Sequence, residues 1–369
     1  MLKRPCLPAA ILVLAAIPLL AQTPYAQVDA VSAAVKAAMS KYSVPGVSVA
    51  VFREFQLEWA RGYGVASMDN QRPVDPMTLF QAASISKPVA ALAAMRLVQD
   101  KRLNLDRNVN EYLTSWKLPD NELTKSTPVN LRFLMSHTAG LTVHGFKGYA
   151  QGELVPTVPQ VLDGQRPANS EPVRVTVAPG TKFEYSGGGY TILQLLLMDV
   201  THISFPEIMR AMVLDRVGMR FSTYEQPLPA ALVEYATSGH EKGKVIAGER
   251  HTYPEMAAAG LWTTPSDLAK FAMAIQRARL GLPDAILSKD LAVSMTTASI
   301  PGSFGLGLEP LRPNDTEKRF FGHTGGNAGY RCMLLATLMG GNGVVVMTNG
   351  DRFEAVSEIV NAAVTAYGW

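Results

Sequence analysis

Ser84 stands three residues before Lys87 in Phe80-Gln-Ala-Ala-Ser-Ile-Ser-Lys87, where an Ala/Leu-rich run that reads as a helix begins. Residues three apart on a helix share a face, so the lysine amine can reach the serine hydroxyl. A helix N-terminus adds free N–H groups and the positive end of the dipole, both suited to an oxyanion. A serine hydroxyl is a weak nucleophile until a base takes its proton, and a lysine serves as that base only when neutral. The chemistry this pair offers is acyl transfer. Taken alone, the pair is also what a capped helix with a solvated lysine looks like, and Ser-x-x-Lys arises by chance in a chain of this length.

Three further segments follow in order. Leu134-Met-Ser-His-Thr-Ala-Gly-Leu141 comes first, then Phe183-Glu-Tyr185-Ser-Gly-Gly-Gly-Tyr190, a tyrosine just ahead of a glycine-rich turn. Phe321-Gly-His323-Thr324-Gly325-Gly326 lies directly before a strand-like run at Cys332. The order Ser-x-x-Lys, then Tyr, then [Lys/His]-Thr-Gly resembles the serine β-lactamase and penicillin-binding-protein family, in its class C-like, S12 peptidase and family VIII esterase branch. Leu97–Asp106 is similar to that family's segment after the nucleophile helix, and Ala258-Ala-Gly-Leu-Trp-Thr-Thr-Pro-Ser-Asp-Leu268 to its Gly-Leu-x-Ser-Thr-x-x-Asp-Leu segment. The likeness covers nearly the whole chain beyond its first two dozen residues.

The resemblance implies roles. Ser84 is the expected nucleophile, Lys87 its base, and Tyr185 a partner in the proton shuttle. His323 completes the expected catalytic set, with Thr324 and Gly325 in substrate binding and the N–H groups of Ser84 and Gly326 as oxyanion donors. No cofactor or metal is implied, and the substrate is a small ester, amide or peptide. Two positions depart from the lactamase pattern. Gly187 stands where lactamases carry an Asn that bonds a substrate amide, and His323 stands where they usually carry Lys. A histidine is mostly neutral at pH 7, so less fixed charge awaits a substrate carboxylate. The expected activity is therefore an exported serine hydrolase of esters or D-peptide amides. The alternatives are a true class C-like β-lactamase or D-alanyl-D-alanine carboxypeptidase, and a catalytically silent relative that binds cell-wall peptides or a partner.

Other residues take lesser parts. His137 is expected to be structural, near the cleft. Trp262 and Tyr330 either line an acyl pocket or belong to the core. Asp267 is expected to cap the helix after Pro265. Cys332 reads as a small buried hydrophobe.

The chain has no Gly-x-Ser-x-Gly elbow, no His-Glu-x-x-His and no phosphate loop, and its six histidines are too scattered for a structural zinc site. With 34 Lys plus Arg against 31 Asp plus Glu, it lacks the basic excess of a nucleic-acid binder. At 47% hydrophobic and 18% charged it is too apolar for a disordered chain. Lys3 and Arg4 precede an apolar run from Leu7 to Leu20, the pattern of a signal peptide over residues 1–26, cut after Ala21 or Ala26. That implies a periplasmic or secreted protein with no stable membrane insertion after cleavage. Losing Lys3, Arg4 and Cys6 takes the charge from +3 to +1 and leaves Cys332 alone, so no internal disulfide forms.

The elements that must hold these residues follow from periodicity. Val28–Lys41 and Glu354–Tyr367 read as amphipathic helices and Pro88–Asp100 as the helix after Ser84. Val47–Phe52 with Leu57–Tyr63 reads as a hairpin, and Gly305–Leu308, Cys332–Leu338 and Val344–Thr348 as strands. Strand signals gather at both ends with a helical region between. The expected fold is α/β (α+β): an antiparallel sheet built from both termini and flanked by helices, β-lactamase/transpeptidase-like. The expected division is a catalytic domain over 27–369, its α/β part at 27–105 and 241–369 and a mainly helical insert at 106–240.

Overall fold

Val47, Val49 and Val51 project from one side of strand β1 (Gly46–Arg53) and Ser48, Ala50 and Phe52 from the other, and all six are buried. A strand with no solvent face lies inside a sheet covered on both sides. The computed structural model, which describes residues 24–311 and 320–369, places it so. β1 pairs with β2 (Gln56–Gly64) on one edge and with the last strand on the other. The remaining strands of this sheet are β3 (Glu309–Leu311), β4 (Phe320–Asn327), β5 (Tyr330–Thr337) and β6 (Gly343–Thr348). The order is β2-β1-β6-β5-β4-β3, and every neighbouring pair is antiparallel. Two strands of the sheet thus come from the N-terminal end of the chain and four from the C-terminal end.

The flanking helices are α1 (Pro24–Tyr42), α2 (Ser86–Gln99), α3 (Gly187–Thr201), α4 (Pro265–Leu280) and α5 (Phe353–Tyr367). On one face Val31 and Val35 of α1 and Val356 and Ile359 of α5 close over Val47, Val49, Val344 and Val346. On the other, Ala50, Val345 and Met347 join a larger core with Phe271 and Ile275 of α4 and most of α2 and α3. Between residues 106 and 239 the described elements are helices and turns. Among the described residues no single helix is long and apolar enough to cross a membrane. The leader expected at 1–26 lies outside the described residues apart from its last three, which belong to α1.

Two local expectations need correction. Gly305–Leu308 is not a strand: Leu306 N–H bonds to Ser294 O and Leu308 N–H to Met295 O, and Gly307 sits at φ +112°. Those bonds leave no ladder, and the strand comes just after, as β3. The segment Phe320–Asn327, expected only to precede a strand, is itself β4, in register with β5 from Phe320↔Thr337 to Asn327↔Tyr330.

Candidate active site

Ser84 lies in a single tight turn, Ala83–Ile85, that runs directly into α2. Ala83 just before it adopts φ +49°, a left-handed conformation that costs a residue with a Cβ. The turn is pinned from behind. Ala82 N–H bonds to Leu261 O at 2.8 Å, Leu261 N–H to Ser86 Oγ at 2.9 Å, and Phe80-Gln81 pair with Trp262-Thr263. The Cys332 thiol donates to Ala82 O at 3.0 Å, so the lone cysteine is a buried core group whose thiol burial pushes well up in pKa.

One turn into α2, Lys87 is 2% exposed. Its Nζ donates to Ser84 Oγ at 3.0 Å and to Ala258 O at 2.8 Å. Burial lowers its pKa to about 7. Tyr185, ahead of α3, stands with its ring 5.1 Å below the Lys87 amine. Burial raises its pKa and a hydrogen bond with the Ser84 side chain draws it part of the way back, so the phenol is neutral. Ser186 caps α3 through its Oγ and Gly189 N–H at 3.1 Å, which fixes the exit of the tyrosine.

β4 closes the cavity opposite. Its partner β3 reaches only to Gly322, so residues 323–327 run along the Ser84 turn. A Cβ on Gly325 would come within 2.3 Å of Ala82 O and 2.4 Å of Cys332 Sγ, which explains the glycine. Gly325→Ala is expected to destabilise the fold by about 1–3 kcal/mol through overpacking and to lower activity with it. A thermal melt matching the native protein would show that β4 and the turn are not in the tight contact described.

His323 is buried, with Nδ1 facing Thr324 O and Nε2 without a partner. Burial and the Lys87 charge lower its pKa to about 3, so it is a neutral imidazole. It is not the cation a lysine would be. His137 is also buried, accepting from Ser186 N–H at Nδ1 and stacking on Tyr185 with centroids 4.1 Å apart. Burial holds it neutral too.

Ser84, Lys87, Tyr185, His323, Thr324 and Gly326 meet at one cavity of about 370 Å³, whereas Gly325, expected in substrate binding, and His137 do not line it. Trp262 and Tyr330 do not line it; Trp262 borders a separate cavity and the Tyr330 hydroxyl bonds to Thr237 O. Nor does Asp267 cap a helix. Thr264 Oγ1 does, accepting from Asp267 N–H, while the Asp267 carboxylate holds Phe221 N–H and Lys270. Sequence reasoning missed His144, Phe146, Phe304, Asn327 and Phe353, which also line it. It missed the Ala258 carbonyl as well, although the segment carrying it was noted. Phe146 explains Gly187: a Cβ there would meet its ring at 3.0 Å and His144 O at 3.1 Å. The phenyl ring fills the space an Asn side chain would need. Among the described residues no group of three or more His, Cys, Asp or Glu converges as a metal ion requires.

A profile of the family described as Beta-lactamase matches residues 31–367. The chain belongs to the beta-lactamase family. Within it, the chain is 29% identical over 245 residues to a beta-lactamase of Lysobacter lactamgenus, covering 64% of this chain and 57% of that protein. It is 25% identical over 239 residues to Protein flp of Staphylococcus aureus, covering 62% and 43%. The chain spans about half the length of the curated relatives it matches. The fold of D-amino acid amidase from Ochrobactrum anthropi SV3 superposes with TM-score 0.76 at 22% identity, over 93% of this chain and 98% of that one. A D-alanine carboxypeptidase from Burkholderia cenocepacia gives TM-score 0.72 at 20% identity, over 93% and 99%. At such identities the likeness speaks to the beta-lactamase-type fold alone.

Proposed function

We propose that the chain is an exported serine hydrolase that cleaves small esters or amides through an acyl-enzyme on Ser84. Lys87, neutral in half the molecules near pH 7, takes the Ser84 proton as Oγ attacks the carbonyl carbon. The oxyanion accepts from the N–H groups of Ser84 and Gly326; losing one such donor typically slows a reaction by roughly 10²–10³. Tyr185, a neutral phenol at the same cavity, relays the proton to the leaving alcohol or amine, whose bond to the acyl carbon then breaks. Water repeats the sequence on the acyl-enzyme and frees the acid. The observation that carries this reading is the buried Lys87 amine, 3.0 Å from Ser84 Oγ, with a pKa of about 7. A solvated lysine would have neither property.

Gly187 and the neutral His323 favour esters and simple amides over lactams. Relatives named as a beta-lactamase, a D-amino acid amidase and a D-alanine carboxypeptidase keep the lactamase and peptidase readings as the second choice. Intact-protein mass spectrometry separates them. Mixed with a penicillin and, separately, p-nitrophenyl acetate, the protein is expected to turn over the ester and show no penicillin adduct. A brief adduct with drug consumed would make it a lactamase, and a lasting adduct on Ser84 a penicillin-binding peptidase. Neither adduct nor turnover of esters or amides would leave a binding protein.

A further inference from the structure

Lys87 is the single lysine or arginine among the described residues lining the cavity, and the rest of the wall is aromatic, small or neutral. A cation does lie next to it. Arg331 is the register partner of Gly326 across β4 and β5, and its Nη1 donates to the carbonyls of Asn327 and Tyr330, both at 2.7 Å. Neither partner is charged, so those bonds leave the guanidinium charge unneutralised, and its Nε is buried without a partner. Arg331 does not itself line the cavity, although its Cδ comes 3.5 Å from where a Gly326 Cβ would be; Phe353 beside it does line the cavity. The Phe353 ring lines the cavity, lies 5.1 Å from the Arg331 guanidinium carbon, and sits 3.3–3.4 Å from where a Gly326 Cβ would be. The ring that lines the cavity thus also makes a cation–π contact with the guanidinium.

We propose that Phe353 sets the charge selectivity of the site, screening Arg331 so that the cavity takes substrates uncharged beside the scissile bond. Uncovering Arg331 converts it into a site that also takes a carboxylate there. A guanidinium beside a partly dry cavity binds a carboxylate through short, charge-assisted hydrogen bonds. Covered by a phenyl ring, it offers an anion no donor, and the anion loses its water without compensation. Phe353 is here a specificity-determining residue. The inference rests on the hydrolase reading above.

The test compares phenyl acetate with 3-carboxyphenyl acetate, which differ by one carboxylate on the leaving group. The native protein is expected to prefer the neutral ester. Phe353→Ala is expected to move the ratio of kcat/KM roughly tenfold or more toward the anionic ester, mostly through KM, as a charged hydrogen bond gained implies. Adding Arg331→Gln should cancel that gain, and Phe353→Leu, which keeps an apolar cover, should hold the native ratio. An unchanged ratio in a folded Phe353→Ala protein overturns the proposal, as does a gain that survives Arg331→Gln. Hydrolysis of neither ester by the native protein, without labelling of Ser84 by a fluorophosphonate, would overturn the hydrolase reading and this proposal with it. Hydrolysis with an unmoved ratio would overturn this proposal alone.

Discussion

Ser84→Ala is expected to abolish turnover of every ester and amide the protein accepts, while the fold stays intact. In a serine hydrolase, removing the nucleophile lowers kcat on the order of a millionfold, and what remains comes from oxyanion stabilisation and binding. Here the hydroxyl bonds to Lys87 and borders the cavity, and the turn around it is held by backbone bonds to Leu261 and by the Cys332 thiol. The bonds that hold the turn do not use Oγ, and Lys87 keeps its bond to Ala258 O, so the variant should fold and lose only about 1 kcal/mol with the one hydrogen bond. The measurement is steady-state hydrolysis of p-nitrophenyl acetate beside fluorophosphonate labelling and a thermal melt. Hydrolysis that survives in the variant would remove Ser84 from the mechanism and leave the Lys87 contact without a catalytic meaning.

The second large effect belongs to Lys87. If its neutral amine is the base, kcat/KM rises with pH through about 7 and levels off above, because protonation below that point removes the acceptor. Lys87→Met, of similar length and without the amine, is expected to lose roughly 10²–10⁴ in rate and the acid limb of the profile with it. The same burial acts on stability with a definite sign. The folded pKa lies below the ordinary lysine value of 10.5, so between about 7 and 10.5 the unfolded chain binds more protons. Stability from this group therefore rises with pH across that window and is lowest below about 7. Urea titrations at several pH values should show a flatter dependence in Lys87→Met than in the native protein. An acid limb that persists in the variant would mean another group titrates, and the neutral His323 and His137 are too far shifted to supply it at pH 7.

The order of motifs along the chain determined the family, because Ser84, Lys87, Tyr185 and His323-Thr-Gly occur in a sequence that chance rarely assembles. Hydrophobic period determined the helices Pro24–Tyr42 and Phe353–Tyr367 and the hairpin at Gly46–Gly64 to within a few residues, since each has one face or two that must be dry. Local pattern failed where a residue's neighbours are distant in sequence. β4 did not read as a strand because His323-Thr-Gly-Gly has little β propensity; its pairing comes from Tyr330–Thr337, and its Gly325 from the need to pass Ala82. The capping role of Thr264 in place of Asp267 is decided by which side chain meets the free N–H groups and which is drawn off to Phe221 and Lys270.

The charge state of the site was likewise beyond the sequence. Lys87 and His323 are written there as an ordinary lysine and histidine, and only burial makes the one neutral enough to act as a base and the other unable to carry charge. Gly187 showed what the chain lacks, but the Phe146 ring that occupies the space lies 41 residues earlier. Arg331 and Phe353 are 22 residues apart and carry no shared motif. Residue types along a chain specify which chemistry is available. Which groups are dry, and which stands in front of another, depends on contacts between segments remote in sequence, and those exist only once the sheet has closed.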